Sequence, residues 1–248
     1  MITGKGSWAI APVAALAFAV VFVVSWAVLP PESAIRLYDQ GGFSPVEIAT
    51  LPLFALIIPL VWLCCPFEGS RRRRIVLQLC VTALALFALA KETDFHIAIM
   101  RYFYPDTVNF KGTPFKMKFL TKSAFPFGAK AIVLVYFGTL FGIAAFAIAR
   151  YFKPLLRGFF KLHPVCWSVA FMGGSGVLVQ ICDRLPAMIR KAQLLDPALM
   201  DKQTGSVAAL LKIFEEGTEA ALASFALLAI LQAYLVYNTP SPKEELRI

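Results

Sequence analysis

Six apolar stretches dominate the chain, at about 8–29, 45–65, 75–92, 129–149, 164–182 and 212–237, each long enough or nearly long enough to cross a bilayer. Crossing the hydrocarbon takes about 20 residues of helix at roughly 1.5 Å each. Lipid offers the backbone no hydrogen-bond partner, so stretches of this kind close their own hydrogen bonds as helices. The pattern therefore predicts an all-α, polytopic membrane helix bundle of about six transmembrane helices.

Composition points the same way, with 59% hydrophobic and 16% charged residues among 248, far from the balance of a soluble domain. The spans consume most of the length, so we expect a single integral membrane domain, 1–248, and no folded soluble one. The first stretch exceeds the 7–15 apolar residues typical of a cleaved signal peptide and runs into Pro30-Pro31, which marks it as a retained helix. Five cysteines, Cys64, Cys65, Cys80, Cys166 and Cys182, sit in or beside apolar runs without any CxxC spacing, which argues against a disulfide framework and a zinc ribbon.

Orientation is read from Lys and Arg. The run Arg71–Arg74 and the quartet Arg150, Lys153, Arg157 and Lys161 fall in alternate loops and should face the cytoplasm, which puts both termini there too, in a bacterial inner membrane. The full count is divided, 11 of the 24 basic residues lying on that side, so the expectation rests on the two clusters. A net charge of +9 spread over both faces makes nucleic acid a poor partner.

Charged residues at the ends of the spans carry the chemical signal. A charge at the centre of a membrane helix costs about 2.5–3.5 kcal/mol on insertion scales and persists mainly where it faces a cavity or another charge. The third stretch is short, so its helix is expected to continue through Lys91 and Glu92 toward Met100. On a continuous helix Glu92 and His96, four apart, would share a face. Asp183-Arg184 ends the fifth stretch, after the small-residue run Gly173-Gly174-Ser175-Gly176 that would permit close helix packing. Glu215 and Glu219 share a face at the start of the last span, with Glu216 beside them. Alternating helix direction brings all three groups to one side of the membrane, whichever side that is. The other histidine, His163, falls on the opposite side. Between the third and fourth spans, 93–128 is expected to lie at the lipid interface, with five lysines and no acid from Lys111 to Lys130.

Two physical arrangements keep such carboxylates in place: a bound divalent metal (zinc, manganese or iron), held by Glu92, His96, Glu215 and Glu219, or protons shared among the acids. The same glutamates would also be stable as plain charges at headgroup depth.

At Glu92-Thr93-Asp94-Phe95-His96 and Glu215-Glu216-Gly217-Thr218-Glu219, with Asp183-Arg184 between them, the chain resembles a group of bacterial inner-membrane proteins that carry an acidic-x-Asp-aromatic-His element and a late Glu-Glu-x-x-Glu element. The resemblance spans about the last two thirds of the chain and implies no particular reaction. More loosely the chain is similar to the alkaline-ceramidase-like membrane hydrolases, which set Asp and His ligands around zinc inside a helical bundle. Where they have a late His-x-x-x-His, this chain has Glu215 and Glu219.

The leading expectation is a metal-assisted hydrolase or transferase acting on a membrane lipid or lipid-linked substrate at the outer leaflet. Glu92, His96, Glu215 and Glu219 would hold the ion and Glu216 or Asp183 would act as general base. Arg101, Arg184, Lys116 and Lys118 would hold an anionic headgroup. The alternatives are a small proton- or ion-coupled transporter or lipid flippase using the same acids, and a non-catalytic subunit of a homo-oligomer or larger membrane complex.

Overall fold

The computed structural model describes residues 7–39, 44–64, 71–105, 120 and 126–238, and among them all regular structure is helical. The helices are α1 (Ile10–Val28, preceded by a 3-10 turn at Ser7–Ala9), α2 (Pro31–Tyr38), α3 (Pro45–Cys64), α4 (Arg71–Glu92), α5 (Phe95–Phe103), α6 (Phe127–Phe160), α7 (Pro164–Ala192) and α8 (Ser206–Asn238). Six of them, all but α2 and α5, are long and apolar enough to cross a membrane. They fall on the six stretches read from the sequence, and the chain is a multi-pass membrane protein.

The third span departs from expectation at its end. Asp94 adopts a left-handed backbone (φ 50°), which a helix cannot carry through, so α4 stops at Glu92 and α5 starts afresh at Phe95. Glu92 and His96 are therefore on two helices rather than one face of a continuous one. The segment 93–128, expected as a surface loop, is helical in its first part as α5. Three spans also overshoot: α6, α7 and α8 have 34, 29 and 33 residues, against the roughly 20 that hydrocarbon requires.

The short helix α2 begins with Pro31 in its first turn, where a missing N–H costs nothing, and buries Ala34 and Tyr38. The Tyr38 hydroxyl lies 3.1 Å from Ser25 Oγ of α1. A reciprocal cap starts α3: Ser44 N–H donates to Glu47 at 2.6 Å and Glu47 N–H donates to Ser44 Oγ at 3.2 Å. Trp62 Nε1 donates to Thr82 Oγ1 at 2.9 Å and Gln78 Nε2 to the Val61 carbonyl at 3.1 Å, tying α3 to α4.

The last helix, α8, is the most buried of the six spans, and α1, α2, α3 and α7 all pack on it. Three apolar clusters meet on its faces: Phe54, Ile57 and Val61 of α3 with Ala223 and Ile230; Phe22, Ala34 and Tyr38 with Ala209 and Ile213; and Ala11 with Ala221 and Phe225. Small residues on α8 let these neighbours approach closely. Across to α7, Ser168 Oγ donates to Gln232 Oε1 at 2.6 Å, a polar contact fully inside the bundle. The small-residue run of α7 packs only in part. A side chain at Gly176 would touch Leu222, whereas Gly173 and Gly174 meet open space. By contrast α6 is the least buried span, held mainly by α7, α4 and the contact of Met100 of α5 with Ala129 and Val133.

A close approach to α8 is at Gly217, where a Cβ would sit 2.3 Å from the Phe22 ring. That ring also packs against Phe18 and Phe214, with centroids 6.1 and 5.5 Å away. Gly217→Ala is expected to lower the thermal midpoint in detergent by several degrees, the result of about 1–3 kcal/mol of overpacking. Gly138→Ala on α6, where the same atom meets nothing within 4 Å, should leave the midpoint unchanged or slightly raised. Equal midpoints for the two variants would refute this packing of α1 on α8.

Candidate functional site

One turn of α8 presents Glu215, Glu216 and Glu219, and they divide between two sets of partners. Glu215 is turned toward α2. Lys212, one turn earlier on α8, bridges it at 3.0 Å and also reaches Asp39, at the end of α2, at 2.8 Å. Asp183 at the far end of α7 is exposed, yet near enough to Glu215 for the two charges to interact.

Glu216 and Glu219 are both buried and turn the other way, toward the end of α4. There they meet Glu92, whose side chain is 6% exposed. One carboxylate oxygen from each of Glu92, Glu216 and Glu219 lies within 4.8 Å of the other two. Lys91 joins the group: its ammonium forms an ion pair with Glu219 and stands 3.6 Å from Glu92. The lysine side chain is 54% exposed and reaches in from the rim, whereas Glu219 is only 7% exposed. The break after Glu92 makes this possible, because α4 ends at the level where α8 carries its acids and the chain turns aside into α5.

Span counting thus places the acids correctly on one membrane face, and the grouping within that face is finer. Glu92 and Glu219 come together as the shared-site reading requires. Glu216, read as a general base, stands with them as a third carboxylate, whereas Glu215 belongs to the Lys212–Asp39 pair. Arg101 on α5 and Arg184 on α7 are exposed at the same face. The side chain of His96 and the whole of Lys116 and Lys118 lie outside the described residues. Lys91, Lys212 and Asp39 were not singled out as site residues. A lysine at the end of an apolar helix reads as one that stretches to the interface, and only the neighbouring helix reveals that it bends inward. The one available signal was numerical: acids crowded at span ends call for cations of their own.

Chemically, among the described residues three glutamates are in contact with one lysine, an excess of acid in a largely apolar bundle. Carboxylates this close are held by a cation, by protons, or by both. Three oxygens at this separation suit a hard divalent ion, with open coordination positions left for water or a substrate oxygen. On the side of α8 away from Glu216, an apolar groove of about 400 Å³ runs between α1 and α7, with Phe18, Phe22, Phe171 and Thr218 in its walls.

No protein-family model, curated protein or solved structure matches this chain.

The ion pair between Lys91 and Glu219 can be measured directly. Lys91→Met and Glu219→Gln should each lower the midpoint of unfolding, and the double variant should lose less than the two together. The coupling should be about 1 kcal/mol, above the median for exposed pairs because one partner is buried. Strict additivity would mean that the two side chains do not interact in the membrane protein.

Proposed function

We propose that the chain is a metal-dependent hydrolase or transferase of a bacterial inner membrane, acting on an anionic lipid or lipid-linked substrate at the face that carries Glu92, Glu216 and Glu219. The observation that supports this reading is the convergence of those three carboxylates, from two helices, within 4.8 Å of one another, with Lys91 paired to Glu219 at their rim. Their depth supports it further. Glu92 is the last residue of α4, so the centre lies near headgroup level, where ester and phosphoester bonds of lipids are found, and not at the bilayer midplane where carriers bind their cargo.

In this reading Glu92, Glu216 and Glu219 hold an oxygen-preferring divalent ion such as magnesium or manganese, a harder choice than zinc because the described donors are all carboxylate oxygens. The ion would supply Lewis acidity toward a carbonyl or phosphoryl oxygen and a more acidic water. Lys91 offsets part of the charge of the centre and, being half exposed, can withdraw toward the rim when a cation enters. Lys212 and Asp39 hold Glu215 off to one side. Arg101 and Arg184, exposed at the same face, are the cations available to an anionic headgroup.

A second reading is favoured by Lys91 itself. A tethered cation that can exchange with an external one is also what a proton- or ion-coupled carrier needs, the lysine filling the site in one state and leaving it in the other.

The two readings separate in the following measurements. Protein purified in detergent and dialysed against magnesium or manganese should hold about one equivalent of metal. Glu216→Gln and Glu219→Gln should each lose it, and Glu215→Gln should keep it. Absence of metal in well-folded wild type after supplementation would eliminate the metalloenzyme. With metal established, turnover of a phospholipid or lipid-linked phosphate in detergent supports catalysis. Activity seen only as flux across sealed vesicles would transfer the site to the carrier.

A further inference from the structure

The membrane face opposite the carboxylate centre carries two basic clusters, Arg71–Arg74 and the end of α6. That helix is 34 residues long, about 51 Å at 1.5 Å per residue, against a hydrocarbon core of about 30 Å. The excess is residues 150–160, and it is amphipathic in an uncommon way. Arg150, Lys153, Arg157 and Lys161 follow one another at spacings of three and four, which keeps all four on one side of the helix within roughly 80°. All four are exposed, and no acid pairs with them among the described residues. Directly beside this stripe runs a second one, Phe152, Leu156 and Phe160, which are 56%, 43% and 75% exposed. A helix end standing in water would not leave three large apolar side chains bare.

Its depth is set by the neighbouring helix. On the far side of the same segment, Phe159 stacks on Trp167 of α7 with ring centres 4.3 Å apart, and Trp167 Nε1 donates to the Phe159 carbonyl at 3.0 Å. Trp8, just before α1, packs on the same indole at 5.1 Å. Trp167 lies in the first turn of α7, which is apolar from Pro164 onward. Residue 159 is thus level with the point where α7 enters the apolar layer, among tryptophans of the kind that settle at headgroup depth. That contact sets the end of the 150–161 segment at the level of the headgroups rather than in bulk water.

We propose that residues 150–161 form a binding surface for anionic phospholipid headgroups of the bilayer. Phe152, Leu156 and Phe160 seat in the acyl boundary. Arg150 and Arg157 offer planar donor pairs to phosphate oxygens, and Lys153 and Lys161 add charge and reach. Pro154, inside this segment, removes one backbone hydrogen bond and gives the helix a point at which to bend toward the surface.

The test uses the full chain in nanodiscs of mixed phosphatidylcholine and phosphatidylglycerol, with the lipids retained on the protein identified by native mass spectrometry. Wild type should retain phosphatidylglycerol over phosphatidylcholine by about fivefold or more, which corresponds to the worth of roughly one interfacial cation, and the preference should fade as salt rises. The variant carrying Arg150→Gln, Lys153→Gln, Arg157→Gln and Lys161→Gln should lose most of it. The charge-preserving exchange Arg150→Lys with Arg157→Lys should retain most. If the quadruple variant does not fold, the two pairwise variants, Arg150→Gln with Lys153→Gln and Arg157→Gln with Lys161→Gln, should each lose part of the preference. Anionic-lipid preference that is absent in wild type, or equal in wild type and variants, overturns the proposal and leaves the stripe to an acidic protein partner.

Discussion

A carboxylate inside an apolar bundle must be compensated, and one turn of α8 carries three of them. Much of the arrangement at this face can be understood as an answer to that demand. Glu215 is met by Lys212 and shares it with Asp39, which holds the end of α2 against α8. Glu219 is met by Lys91, which ties the end of α4 to the same helix. Glu216 forms no ion pair among the described residues and is buried beside two other carboxylates. The two lysines thus act as clamps between helices, and what they leave unbalanced is the negative charge of the triad, the basis for reading it as a cation site.

Position along the membrane normal gives that charge its meaning. The apolar clusters around α8 occupy the middle of the bundle, where Phe54, Ile57, Ala223 and Ile230 pack together. Toward one end the acids gather, and toward the other the cations Arg71–Arg74 and the stripe on α6 are exposed. The two ends therefore differ in what they carry: one holds a compact, buried group of carboxylates, the other two exposed basic clusters. The first is suited to holding a small cation in a defined place, the second to many weak contacts with a charged surface. Surface cations are screened and individually weak, so such a stripe acts through number. Buried carboxylates are few and costly, and they act through position.

Much of this was legible in the residues. All six spans were, because apolar length is a sufficient signal where the solvent is hydrocarbon. The shared sidedness of Glu92, Asp183 and Glu215–Glu219 was legible too, since it follows from counting spans. The end of α4 was not: nothing in Lys91-Glu92-Thr93-Asp94-Phe95-His96 forbids a continuous helix, yet Asp94 is left-handed and α5 turns to pack Met100 against Ala129 and Val133 of α6. Nor were the partners of the acids. Glu215 and Glu219, four apart, look equivalent along the helix, yet one turns to α2 and the other to α4.

The sequence by itself determined the number, length and order of the membrane helices and the side on which the acids lie, since a backbone in lipid can satisfy itself only by closing into helices. Tertiary structure alone decided which carboxylates meet. Hydropathy constrains how deep a helix sits but hardly how it is turned about its axis. That rotation, set on α8 by the packing of Phe22 on Gly217 and of Phe54 and Ile57 on Ala223, sends Glu216 and Glu219 to Glu92 and Glu215 to Lys212 and Asp39.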